Sequence, residues 1–126
     1  LNTKTHTFAF CNAGHNPPYL INAKGSIQEL KTGGIVLGMM QDATYETETI
    51  ELHKEDSIVM YTDGITEAMN AQEDEFGELR LQEIIKENNK ESAEHIIEVI
   101  SSDVKNYTGN TLQSDDITMV VVKFKK

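Results

Sequence analysis

Asp63-Gly64 and Asp115-Asp116 are the residues whose types and places could carry chemistry. The first pair closes the run Ser57–Thr62, in which Ile58 and Met60 alternate with Val59 and Tyr61, so both faces are apolar. The second immediately precedes Ile117–Val122, which is built the same way. Each pair has an ordinary reading on its own: a type I′ hairpin turn for Asp63-Gly64, a turn or strand entry for Asp115-Asp116. Ile65 to Asn70 does not alternate like a returning strand, which weakens the hairpin reading. If the two apolar runs are antiparallel neighbours, the end of one lies beside the start of the other, and Asp63 and Asp115 converge at one sheet edge. Converging carboxylates repel unless one is protonated or a cation bridges them. Oxygen-only ligands favour Mg²⁺ or Mn²⁺ over Zn²⁺. Such an ion turns water into a nucleophile at neutral pH and neutralises phosphate oxygens.

Other chemistries fail on what is missing. Cys11 has Pro17 rather than Arg six residues later, and Arg80 is the only arginine, so a cysteine-phosphatase loop is absent. Gly33 and Gly38 have the glycine spacing of a phosphate-binding P-loop, but Met39-Met40 stand where Lys-Ser/Thr would be needed. There is no Gly-x-Ser-x-Gly elbow and no paired His or Cys spacing for zinc. His15 in Gly14-His15-Asn16-Pro17 reads as a general acid or, more simply, as a loop buttress. Gly33-Gly34 reads as a plain turn or a close backbone pass near the site. Tyr61 is expected in the core. Met39-Met40 is expected to pack, with an exposed partner-binding surface as the alternative.

The charge balance constrains partners. Eleven basic against 21 acidic side chains give −10 over 126 residues, which excludes a nucleic-acid or anionic-membrane binder working by bulk attraction. Residues 42–103 concentrate the acids, with 18 against four cations, and most of these fit solvated helix faces. No apolar run is long enough to span a bilayer and no secretory leader is apparent. The single Cys11 cannot form an internal disulfide, which fits a cytoplasmic setting.

The elements that must position the acids follow from periodicity. Thr7–Cys11 reads as a strand, Asn12 to Pro18 as a loop, and Tyr19–Asn22 and Ile27–Leu30 as a hairpin around Ala23-Lys24-Gly25-Ser26. Thr32 to Gly38 reads as a glycine-rich loop, and Tyr45–Leu52, carrying Glu46, Glu48 and Glu51, as an exposed or edge strand. Strands apolar on both sides must be covered on both sides, which places Ser57–Thr62 and Ile117–Val122 in the middle of a layered structure. Leu79–Asn88 carries Leu81, Ile84 and Ile85 on one helical face. Ala93, Ile96, Ile97, Ile100, Val104 and Tyr107 mark a longer helix, capped by Ser92 and ended by Gly109. The fold class is α+β, one domain portion with an antiparallel sheet and helices on at least one face.

Four ordered stretches, Asn12–Leu20 (NAGHNPPYL), Gly33–Gly38 (GGIVLG), Tyr61–Asn70 with Glu75–Leu81 (YTDGITEAMN, EFGELRL) and Ser114–Val122 (SDDITMVVV), resemble the bacterial PP2C-type metal-dependent serine/threonine phosphatases of the sporulation-phosphatase and sigma-regulator branch. The resemblance runs over nearly the whole chain. It implies a four-layer αββα sandwich with two central antiparallel sheets and two Mn²⁺ or Mg²⁺ ions at one end. Carried over by motif, Asp63 and Asp115 are metal ligands; Gly64, Asp116 and His15 are candidates for the shell around them. Asp116 is expected to serve hydrogen bonding or turn geometry. The implied reaction is in-line attack on phosphorus by a metal-activated water, without a phosphoenzyme. The implied substrate is a phosphoserine or phosphothreonine protein, an anti-sigma-factor antagonist in this branch.

The chain departs from that pattern in one respect: it contains no Gly-Asp dipeptide, the motif whose carboxylate bridges both metals in the family. The bridging ligand and the opening strands are therefore expected before Leu1, and the isolated fragment is expected to be inactive. Exposed sheet edges would favour a homodimer or aggregation of the isolated piece. The alternative from another class is a non-catalytic phosphatase-like interaction module in bacterial signalling.

Overall fold

The computed structural model describes residues 1–113 and 115–125; Ser114, which opens the fourth motif, and Lys126 lie outside the described residues. The elements run β1 (Thr7–Phe10), β2 (Tyr19–Ile21), β3 (Ile27–Glu29), β4 (Glu48–Glu51), β5 (Ser57–Tyr61), α1 (Asp63–Thr66), α2 (Glu78–Glu87), α3 (Ala93–Thr108) and β6 (Met119–Lys123). Two antiparallel sheets result: β1 pairs with β4, and a four-stranded sheet has the order β3-β2-β5-β6.

The alternation in β5 divides the interior. Side chains two apart point to the same face, so Val59 and Tyr61 join Tyr19 and Ile21 beneath Leu81, Ile85, Ile96 and Ile100 of the helices. Ile58 and Met60 face the other way with Leu20 and Val122, toward Phe8 and Ile50 of the two-stranded sheet. The described layers are thus a small sheet, the main sheet and the helices.

Both long helices behave as their patterns require. Ser92 Oγ accepts a hydrogen bond from the His95 amide at 3.1 Å, and Gly109 takes φ +56° at the far end of α3. A glycine there removes the steric penalty of the left-handed conformation. Leu81, Ile84 and Ile85 of α2 and Ile96, Ile100 and Val104 of α3 are buried. Asn89, after α2, donates from Nδ2 to the Asn22 carbonyl at 3.2 Å, and its own carbonyl receives the Lys123 ammonium. The helical layer is thereby tied to the β2–β3 turn and to β6.

Two expectations need correction. β6 lies in the middle layer as expected, but its cover is incomplete: it is the edge strand of the main sheet, and Val120 is 49% exposed. Periodicity reports which faces are apolar and is silent about strand order, so it could not distinguish an edge position from a central one. Met39 and Met40 do not pack either; they are 74% and 64% exposed in a loop with Leu37, which is 74% exposed. The backbone of that loop is held instead, by Leu37 N donating to the Ala13 carbonyl and Met39 N to the Val36 carbonyl.

Candidate metal centre

β5 and β6 are antiparallel, with Tyr61 opposite Met119, so the chain leaves β5 where it enters β6. Thr62 sits at that junction. Its hydroxyl donates to the Asp116 carbonyl at 2.8 Å and accepts from the Thr118 amide at 3.0 Å, while its amide donates to the Thr118 carbonyl at 3.0 Å. Thr62 precedes α1 in the N-cap position but makes no side-chain cap bond, because its hydroxyl is committed across the strands.

Asp63 then opens α1 and is half-buried. Gly64 is buried against the other acid pair: a β-carbon there would lie 2.5 Å from the Asp116 carbonyl oxygen and 3.2 Å from that of Asp115. Only a residue without a side chain allows the two segments to approach so closely. The segments bearing Asp63 and Asp115 therefore meet at one end of the main sheet. The hairpin turn is ruled out, since Asp63-Gly64 begins a helical turn.

Asp115 and Asp116 are exposed, and Asp115 Oδ1 accepts the Asp116 amide at 2.7 Å. None of the ion pairs among the described residues involves Asp63, Asp115 or Asp116. The backbones that carry these acids meet at this strand end, and carboxylate oxygens are the donor type that a hard divalent cation takes. They do not fill a coordination shell: among the described residues, no group of three or more His, Cys, Asp or Glu side chains could hold an ion. In donor type alone, carboxylate oxygens with no basic partner, these residues match what Mg²⁺ or Mn²⁺ takes, and they would supply only part of its shell.

His15 belongs to the same end of the sheet. With Thr62, Thr118, Phe8, Phe10 and Met60 it lines a cavity of about 360 Å³ between the two sheets. Its loop is organised by Asn12, whose Oδ1 accepts the Gly14 and His15 amides at 3.0 and 2.8 Å and whose Nδ2 donates to the His15 carbonyl at 2.8 Å. Nδ1 of His15 donates to the Asn16 carbonyl at 3.1 Å, the geometry of a loop buttress. Gly33 runs beside Asn12 in a parallel bridge where any β-carbon would collide with the Asn12 backbone. The close-pass reading of Gly33 is the one observed. Tyr61 is buried and stacked on Tyr19, with 3.0 Å between the hydroxyls. Burial, with the Tyr19 hydrogen bond second, pushes its pKa upward.

Sequence reasoning missed Thr62 and Asn12, both of which set the geometry of this end. The available signals were a hydroxyl directly before Asp-Gly and an Asn two residues before a Gly.

The family model described as Stage II sporulation protein E (SpoIIE) matches residues 1–125. The chain belongs to the SpoIIE family. It is 32% identical over 126 residues to the phosphoserine phosphatase RsbU of Bacillus subtilis, spanning 98% of this chain and 37% of that protein. Protein IcfG of Synechocystis is 32% identical over 114 residues, 90% of this chain and 18% of the relative. The chain thus spans well under half of both curated relatives. Among solved structures, the SiaA PP2C domain of Pseudomonas aeruginosa superposes with a TM-score of 0.81 at 22% identity, over 97% of this chain and 48% of that one. The Mn-presoaked phosphatase domain of SpoIIE from Bacillus subtilis gives 0.73 at 18% identity, over 99% and 54%. At these identities the likeness shows the fold: α+β with antiparallel sheets, as in PP2C phosphatase domains.

Proposed function

We propose that this chain is the C-terminal part of a metal-dependent protein serine/threonine phosphatase domain, with Asp63 and Asp115 as two ligands of a Mn²⁺ or Mg²⁺ pair. The bridging acid and opening strands of that domain are assigned to residues outside this sequence. The observation that carries the reading is the fit of Gly64 against the Asp115-Asp116 backbone, which brings two acids distant in sequence to one strand end without a basic partner.

The metal, when bound, supplies Lewis acidity and a water deprotonated at neutral pH. The residues of this chain contribute position. Asp63 is held at the start of α1, and Asp115 is held through the Thr62 bond to its neighbour's carbonyl. Gly64 lets the two segments touch, Asp116 fixes the turn through its backbone, and His15 stiffens the adjoining loop. With a formal charge of −10, a bound cation would offset the protein's repulsion of a phosphorylated substrate. RsbU bears the name phosphoserine phosphatase, and a solved neighbour at a TM-score of 0.74 joins RsbU and RsbW domains. These support a phosphoserine or phosphothreonine protein substrate of the anti-sigma-factor-antagonist class. Cytoplasmic placement accords with the lone Cys11, and no helix among the described residues is long and apolar enough to cross a membrane.

The test is phosphate release from a phosphoserine protein by the full-length protein, with and without Mn²⁺. Asp63→Asn and Asp115→Asn are each expected to lower the Mn²⁺-dependent rate by at least about a hundredfold, beyond what loss of an outer hydrogen-bonding partner gives. Full activity in either variant would overturn the ligand assignment. A full-length protein that binds the phosphoprotein and releases no phosphate with any divalent ion would replace this reading with the interaction module.

A further inference from the structure

Asp63 stands on a helix of four residues, too short to sustain itself because one turn fixes several residues for a single hydrogen bond. Its support comes from the chain that follows. After Glu67 N closes onto the Asp63 carbonyl at 2.8 Å, residues 68–77 loop out and return, with Phe76 N donating to the Ala68 carbonyl and Gly77 N to the Thr66 carbonyl, both at 2.8 Å. Inside the loop, Asn70 Oδ1 gathers the Gln72 and Asp74 amides at 2.9 and 3.0 Å.

Tyr107 of α3 fastens this loop. Its hydroxyl donates to the Glu75 carbonyl at 2.9 Å and lies 3.3 Å from Asn70 Nδ2, which donates to it. The ring meets Phe76 edge-on, with centroids 5.4 Å apart. Over both rings lies the guanidinium of Arg80, 4.7 Å from the Tyr107 centroid and 5.2 Å from that of Phe76, with Nε donating to Asp103 at 2.9 Å. A planar delocalised cation can stack and pair at once, which lysine cannot. The sole arginine of an acidic chain is thus spent holding a tyrosine against a loop.

Resting on the metal reading above, we propose that Tyr107, clamped beneath Arg80, is a positioning residue for Asp63: it fixes the return of the 68–77 loop and so the turn that presents the carboxylate to the metal. The test uses the full-length protein. Tyr107→Phe keeps the ring and deletes the hydroxyl. It is expected to weaken Mn²⁺ binding, measured calorimetrically, about fivefold to tenfold, the factor that goes with one or two neutral hydrogen bonds. Amide exchange over residues 66–77 is expected to accelerate while exchange in β2 and β5 stays unchanged. Arg80→Lys keeps the charge, loses the stacking, and is expected to shift both readouts the same way by less. It also serves should Tyr107→Phe fail to fold. Unchanged Mn²⁺ affinity in both variants, with or without faster exchange, overturns the proposal and leaves the clamp a purely structural one. Asp63→Asn separates the two levels: if it binds Mn²⁺ as the parent does, the metal reading itself has failed, and the proposal falls with it.

Discussion

The two faces of the main sheet are covered unequally. Toward the helices, thirteen buried side chains from β2, β5, α1, α2, α3 and the loop after α1 form one cluster; toward the small sheet, among the described residues, the buried cluster is Leu30, Leu52, Ile58 and Phe124, while Phe8, Phe10 and Met60 remain partly exposed around a cavity of about 360 Å³. The helical face is therefore the stable base on which α1 and Asp63 sit, and the other face is the open side that His15 and Thr118 border. The comparison breaks if truncations on the two sides cost the same. Ile100→Ala, at a site with no exposure, is expected to cost about 3–4 kcal/mol. Phe10→Ala, from a partly exposed site whose ring stacks only on Phe8, is expected to cost about half as much despite removing more atoms. Urea unfolding of both variants decides; equal losses would mean that the inter-sheet face is as well packed as the helical one.

The same contrast sets the limits of what could be read from the sequence. The helical face was legible almost in full: the spacing of Ile96, Ile100 and Val104, the Ser92 cap and the Gly109 stop all reappear, because a 3.6-residue period and its end signals are local. The alternation in β5 also gave both apolar faces. Where the two acid-bearing segments meet, sequence stopped short. That Asp63 and Asp115 would approach followed from pairing β5 with β6, but the tie through Thr62 and the fit of Gly64 are contacts between residues more than fifty positions apart, which no periodicity encodes. Hydrophobicity alone points Met39 and Met40 toward packing; their exposure depends on where the 33–44 loop runs, and that is set by Asn12 and Ala13.

A smaller effect sharpens the view of the helical side. Tyr61 has its pKa raised by burial and by Tyr19, so the native state holds that proton more firmly than the unfolded chain. The associated stability is fully present below the ordinary tyrosine value near 10 and is lost as pH rises above it. The urea midpoint is therefore expected to fall between pH 9 and pH 11. In Tyr61→Phe, which costs about 1 kcal/mol at neutral pH for the lost hydrogen bond, that fall is expected to be shallower. An equal alkaline loss in both proteins would place its origin in other groups.

The smallest effect is expected from the most hydrophobic-looking stretch on the open side. Replacing Met39 and Met40 together by Gln removes two thioethers that are 74% and 64% exposed, at positions whose loop is held by backbone bonds rather than by side-chain burial. Exposed residues outside caps, turns and cores change stability by no more than about 0.5 kcal/mol. The double variant is therefore expected to unfold at the parent's urea concentration, and to be less prone to self-associate, since Ile35, Val36, Leu37, Met39 and Met40 are exposed apolar groups in one stretch broken by Gly38 alone. A loss above about 1 kcal/mol, twice that surface allowance, would show that the methionines support the loop, and would make the open side as dependent on side-chain packing as the helical one.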